Sequence, residues 1–321
     1  VDVSGTWQYA LAAIAIGAIG YLGSEALFWA YPPEGITLAA WASTVVAYAL
    51  AGACALSAVI WSGLVGWRAL FLGGAVMGFV VEGVIVATMY DAFPFQLVWT
   101  PLAWHALVTG LAVGGLHLSA MQTGWARHLL ALLALGAAGG FLAGYWPMER
   151  PVLPSTREIL VYQIGSGGVA VLGFVILGRM GNLRRPPAVV LALVPALAAV
   201  LWIMQGIADP RPQRLAFPLM LGATLWAMRR LGRAGDLPAF PQAGLARQSV
   251  FLLAPLLTAL AAAFLWRGTG GHAANIVAAL SLGPAGLVLW LWLLWKAITA
   301  GAAASAARHG QADGDHPQHP A

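Results

Sequence analysis

Residues 68–90 read RALFLGGAVMGFVVEGVIVATMY, an apolar run with an arginine at its start and a single acid, Glu82, inside it. An α-helix needs about 20 such residues to cross the hydrocarbon core of a bilayer. Working outward from this run, nine more of the same kind follow or precede it, at 7–30, 37–60, 96–120, 128–147, 158–179, 187–208, 214–228, 248–266 and 273–295. The segment at 214–228 is the shortest. Composition points the same way: 60% of the 321 residues are hydrophobic, 8% are charged, and mean hydropathy is +0.81. Soluble domains run near ~25% charged, and 16 Lys and Arg with 11 Asp and Glu cannot clothe a particle of this size in water.

The fold class is therefore an all-α integral membrane protein, a bundle of ten transmembrane helices forming one domain over residues 1–300. Residues 301–321 are rich in Gly, Ala, His and Pro, have nothing to bury, and are expected to form a disordered cytoplasmic tail. A soluble enzyme, a disordered chain and a nucleic-acid binder are excluded. The pI near 9.8 comes from loop arginines, and the single cysteine, Cys54, supports neither a disulfide framework nor a thiolate cluster.

Short cytoplasmic loops collect Lys and Arg. With the N-terminus inside, inner segments hold Arg68, Arg127, Arg179, Arg184, Arg185, Arg229, Arg230, Arg233, Arg247, Lys296 and Arg308. Outer segments hold only Arg150, Arg157, Arg211, Arg214 and Arg267. Both termini are thus expected in the cytoplasm, and the protein in the inner membrane of a bacterium. The start has no basic n-region or small-residue cleavage site, so the first span is expected to be retained.

Pro32–Pro33 and Pro186–Pro187 share an offset of 154 with Pro101–Leu102 and Pro255–Leu256. An odd five spans per half would make 1–147 and 158–300 an inverted repeat, as in many secondary transporters. Ten spans, inside termini and a five-plus-five division resemble the layout of the drug/metabolite transporter superfamily. No family-specific residue motif accompanies that likeness.

Ionisable residues inside the hydrocarbon are costly and mark function by default. Glu25, Glu82, His105 and His117 are the ones that matter. At 1.5 Å per residue, Glu25, Glu82 and His105 lie about 8, 12 and 14 Å below the outer end of their spans, whereas His117 falls near the inner end. Gly74, Gly78 and Glu82 recur every four residues, and such small-residue stripes mark close helix contact. The matching stripe in the first span is Gly17, Tyr21, Glu25 and Trp29; in the fourth, Pro101, His105 and Thr109 share a face. A short outer turn joins the third and fourth spans, so Glu82 and His105 are expected within reach of each other, and Glu82, His105 and Glu25 are expected to open on one cavity.

The candidate coupling or substrate-binding residues are Glu82, His105, Glu25, Trp104, Thr109, Tyr21 and Gln163. Each has a structural alternative: snorkelling for Glu25, a neutral hydrogen-bonded acid for Glu82, a satisfied core imidazole for His105, aromatic packing for Trp104. The leading functional reading is a permease for a small solute, needing no cofactor, with Glu82 as the protonatable group. The competing one is an intramembrane enzyme acting on a lipid or hydrophobic substrate, in which Glu25, Glu82 and His105 would hold a divalent metal or perform acid–base work. A subunit of a larger membrane complex is the third. The lipid bilayer is the one partner expected on all readings; nucleic acid is expected on none.

Overall fold

The computed structural model describes residues 3–150, 152–268 and 271–312. Among the described residues there is no strand, only one isolated antiparallel bridge between Asn182 and Ala239. Among the described residues, nine helices are long and apolar enough to cross a membrane. In chain order, the first seven are α1 (Ser4–Ala26), α2 (Leu38–Ser62), α3 (Trp67–Ile85), α4 (Gln96–Ala120), α5 (Trp125–Met148), α6 (Thr156–Met180) and α7 (Ala188–Ala208). The segment expected at 214–228 is also helical, as α8 (Ala216–Leu231), but its 16 residues span only about 24 Å. A 3₁₀ turn at Pro212–Leu215 precedes it and makes up part of the difference. Then come α9 (Leu245–Gly268) and α10 (Ala274–Ala312), whose apolar part ends at Ala300. The rest of the expected disordered tail, 313–321, lies outside the described residues.

Hydrogen bonds sort the turns into two opposite sets. On one face, Arg233 N–H donates to Gly63 O (3.1 Å), Phe240 N–H to Gly181 O (2.9 Å), and Arg184 N–H to Gln8 Oε1 (2.8 Å). On the other, His272 N–H donates to Gly144 O (2.9 Å), Tyr31 to Val152 O (3.1 Å), and Arg211 pairs with Asp91 (3.1 Å). Because α8 leaves the Asp91 side and ends beside Gly63, it runs between the two faces despite its length. The first face carries Arg68, Arg229, Arg230 and Arg233. An aromatic belt accompanies them: Trp67 stacks on Trp292, with Arg68 over the first ring and Lys296 over the second.

Local signals set the helix ends. The Thr37 side chain accepts from Ala40 N–H to start α2, and Gly63, at φ +68°, closes it. Ser155 and Glu158 form a reciprocal capping box at the head of α6. In the interior, α1 and α4 are central: α1 packs on α2, α4 and α6, and α4 on α1, α3 and α10. No residue of α7 is fully buried, which suits a helix at the lipid boundary.

The glycines of α3 decide where the chemistry sits. A Cβ on Gly78 would lie 2.7 Å from Pro101 Cα and 2.8 Å from His105 Cβ, and one on Gly74 would lie 2.9 Å from His105 O. Only a bare backbone lets α4 come this close. Gly78→Val is therefore expected to lower stability by about 1–3 kcal/mol through overpacking, read as a reduced melting temperature in detergent. Gly165→Ala, at a site with no neighbour within 4 Å, should leave that temperature unchanged.

Candidate functional site

Three stretches of the bundle are wound as π-helix, with i→i+5 hydrogen bonds: Leu22–Ala26 in α1, Val81–Ile85 in α3, and Trp99–Gly115 in α4. π-turns are rare and are found frequently at functional sites. Here they hold Ser24 and Glu25, Glu82, and Trp104, His105 and Thr109 respectively. Pro101 contributes to the long one, since it has no N–H to give an α-helical bond.

The centre is an ion pair or hydrogen-bonded acid–imidazole pair. His105 Nε2 lies 2.9 Å from Glu82 Oε1; the His105 side chain is 1% exposed and that of Glu82 12%. Thr88, in the turn after α3, donates to the other carboxyl oxygen. The second ring nitrogen, His105 Nδ1, lies 3.0 Å from Ser24 Oγ, and Ser24 Oγ lies 2.9 Å from Thr109 Oγ1. Both rest in full burial. Glu82 is thus no lone acid: it is one of five side chains, on three helices and a turn, that form one continuous chain.

The remaining candidates surround this chain rather than join it. Glu25 accepts from the Tyr48 hydroxyl at 2.6 Å, and the Tyr48 ring lies 6.1 Å from the His105 ring. Tyr21 packs edge-on against Trp41 and Tyr48 and reaches Tyr162 at 3.4 Å. Trp104 donates from Nε1 to Ser24 O (2.8 Å), and Gln163 donates to Ala26 O. Sequence reading missed Ser24, Tyr48 and Thr88. The only available signal for Ser24 was its adjacency to Glu25 on a buried helix, and hydroxyl side chains are too common in such helices for that to stand out. Among the described residues, no group of three or more His, Cys, Asp or Glu is arranged to hold a metal ion.

His117 is not isolated either. Its Nδ1 lies 3.2 Å from His128 Nε2, and Phe174 and Phe251 wall the pair at ring distances of 4.4 and 4.7 Å. This second pair sits toward the arginine-bearing face.

A cavity of about 950 Å³ runs up from that face. Its mouth is lined by Trp67, Gln122 and the 236–241 turn, its walls by residues such as Leu56, Gly73, Gly114 and Phe174, and its inner end by Gly20, Met77 and Thr109. The lining is mostly apolar. Thr109 is where the cavity meets the buried chain, and its volume is that of a site for a small organic molecule.

No protein-family model, curated protein or solved structure matches this chain.

Removing the carboxyl from this pair has a definite cost. Glu82→Leu leaves the buried His105 Nε2 and Thr88 hydroxyl without a partner and should destabilise the protein by about 1–3 kcal/mol. Glu82→Gln keeps the shape and a hydrogen bond, so its melting temperature should stay close to that of the unmodified protein. Equal melting of the Leu and Gln variants would contradict this geometry.

Proposed function

We propose that the chain is a multi-pass permease that moves a small, mostly apolar solute across the inner membrane of a bacterium, with the Glu82–His105 pair as its proton-coupling group. The observation that carries this reading is the junction at Thr109: an apolar cavity of small-molecule size reaches this residue, whose hydroxyl is hydrogen-bonded to Ser24 and through it to the buried Glu82–His105 pair. A carrier needs a group whose charge depends on what occupies its cavity, and ionisable pairs inside a bilayer are suited to that role. Both termini are taken as cytoplasmic on the arginine bias, which makes the cavity inward-facing. The halves on either side of residue 150 are read as an inverted repeat in which the first half keeps the chemistry.

A second reading has one specific observation in its favour. Ser24, His105 and Glu82 stand in the order of a serine–histidine–acid triad, with the serine on Nδ1 and the acid on Nε2. An intramembrane hydrolase or acyltransferase would use Ser24 as nucleophile on an apolar ester entering from the cavity. Against it, the Ser24 hydroxyl is buried and already hydrogen-bonded to both His105 and Thr109.

Reconstituted vesicles loaded with a pH-sensitive dye separate the two. Across a panel of uncharged amphipathic alcohols, ketones and amides, the permease should move protons in step with a solute, and Glu82→Gln should fold yet lose that movement. Equal proton movement in both proteins would remove Glu82 from the mechanism. Covalent labelling of Ser24 by a fluorophosphonate, lost in His105→Asn, would instead establish the hydrolase.

A further inference from the structure

Two buried clusters, one cavity and one pinned turn stand out in the molecule. Among the described residues the His117–His128 pair has no acid hydrogen-bonded to it, and the turn at 88–95 is pinned by Tyr90 on Gly83 O and Trp202 on Tyr90, with one exposed ion pair at Asp91 that contributes little. The chain Thr109–Ser24–His105–Glu82–Thr88 is different, because it is continuous and joins two places. One end lies on the cavity that opens toward the arginine-bearing face. The other lies in the turn after α3, on the opposite face.

We propose that this chain is a proton relay, and that protons reach Glu82 from the cavity by way of Thr109 and Ser24. The inference rests on the permease reading and names its coupling ion as the proton and its entry route as these two hydroxyls. Neither residue is titratable; both act by passing a proton on.

The hydrogen-bond inventory makes the chain bistable. The Thr109 hydroxyl has one proton and two acceptors in reach, Trp104 O at 3.1 Å and Ser24 Oγ at 2.9 Å. When it donates to Ser24, Ser24 donates to His105 Nδ1, and His105 Nε2–H donates to an ionised Glu82. A proton arriving from cavity water on Thr109 oxygen then displaces the whole row by one place. Thr109 passes its original proton to Ser24, Ser24 passes its own to Nδ1, and His105 becomes an imidazolium. The Thr109 hydroxyl now donates to Trp104 O, and Ser24 donates to Thr109. The Nε2 proton can move to the carboxylate, which leaves a neutral acid and a neutral imidazole. Every bond formed in this sequence matches one broken, and the net gain is one proton. Return to the first arrangement requires both hydroxyls to rotate and the imidazole to change tautomer, which gives the relay a reset step.

Other titratable groups face this chain. Glu25 on α1 and Tyr48 on α2 are hydrogen-bonded to each other, with Tyr48 beside the His105 ring, and Tyr21 on α1 and Tyr162 on α6 lie beyond them. Tyr90 bonds to Gly83 O beside Glu82, and Arg214 lies over its ring. Among them only Glu25 carries a carboxyl, so Glu25→Gln is needed to assign signals.

The test is time-resolved infrared spectroscopy of the full chain in detergent after a pH jump. The protonated carboxyl band is assigned to Glu82 by its loss in Glu82→Gln and its persistence in Glu25→Gln. Thr109→Val and Ser24→Ala should slow the appearance of this band by roughly 100-fold, the scale of losing a positioned proton-transfer group. Thr109→Ser restores a hydroxyl and should restore the rate, which separates relay from packing; Gly165→Ala, at a site with no neighbour within 4 Å, should leave the rate unchanged. Unaltered rates in Thr109→Val and Ser24→Ala would overturn the relay and leave the permease reading standing. A Glu82 band that never responds to pH in the unmodified protein would overturn both.

Discussion

Inside a bilayer there is no water to bond a stray carbonyl, and each one left bare costs several kcal/mol. Winding a helix as π-turns shifts its hydrogen-bond ladder and opens carbonyls to outside donors. In this protein those donors come from neighbouring helices, from the turn after α3 in the case of Tyr90, and from α4 itself in the case of Thr109. Trp104 caps Ser24 O, Gln163 caps Ala26 O, Tyr90 caps Gly83 O, Gln205 caps Val84 O, and Thr109 caps Trp104 O. The polar side chains of the bundle are therefore mostly answers to backbone demands. Beyond those demands stand the Glu82–His105 pair with its hydroxyls, the Glu25–Tyr48 bond and the His117–His128 pair.

That balance explains why the pair can exist. An acid and an imidazole both held away from water must satisfy one another, and here the ring uses both nitrogens while the carboxyl uses both oxygens. The glycines of α3 supply the remaining condition. With Gly74 and Gly78 against the backbone of Pro101 and His105, the two helices approach closely enough for a direct bond of 2.9 Å. The cavity reaches Thr109, and neither Glu82 nor His105 lines it.

Much of this arrangement could be read from periodicity. A four-residue glycine stripe ending in Glu82, a short turn, and a His105 at similar depth are enough to put two side chains on facing helices. The depth arithmetic did not separate Glu25 from the pair, because depth says nothing of azimuth; Glu25 turns instead to Tyr48. Thr88 carried no signal and Ser24 only its adjacency to Glu25, since a hydroxyl in or beside an apolar helix most often bonds its own backbone. The π-winding was not legible: Gly23, Gly83 and Pro101 within these stretches weaken α-helical bonding but do not say which alternative replaces it. The short α8 was visible as a weak span, and only its bonds at both ends reveal that it runs from face to face.

The central claim is that the charge on the Glu82–His105 pair depends on what fills the cavity. Titration calorimetry tests it most directly, with one uncharged amphipathic solute measured in two buffers of different ionisation enthalpy. The account predicts a binding heat that changes with buffer in the unmodified protein and does not in Glu82→Gln. A buffer-independent heat in the unmodified protein would show that binding moves no proton, and would contradict the account.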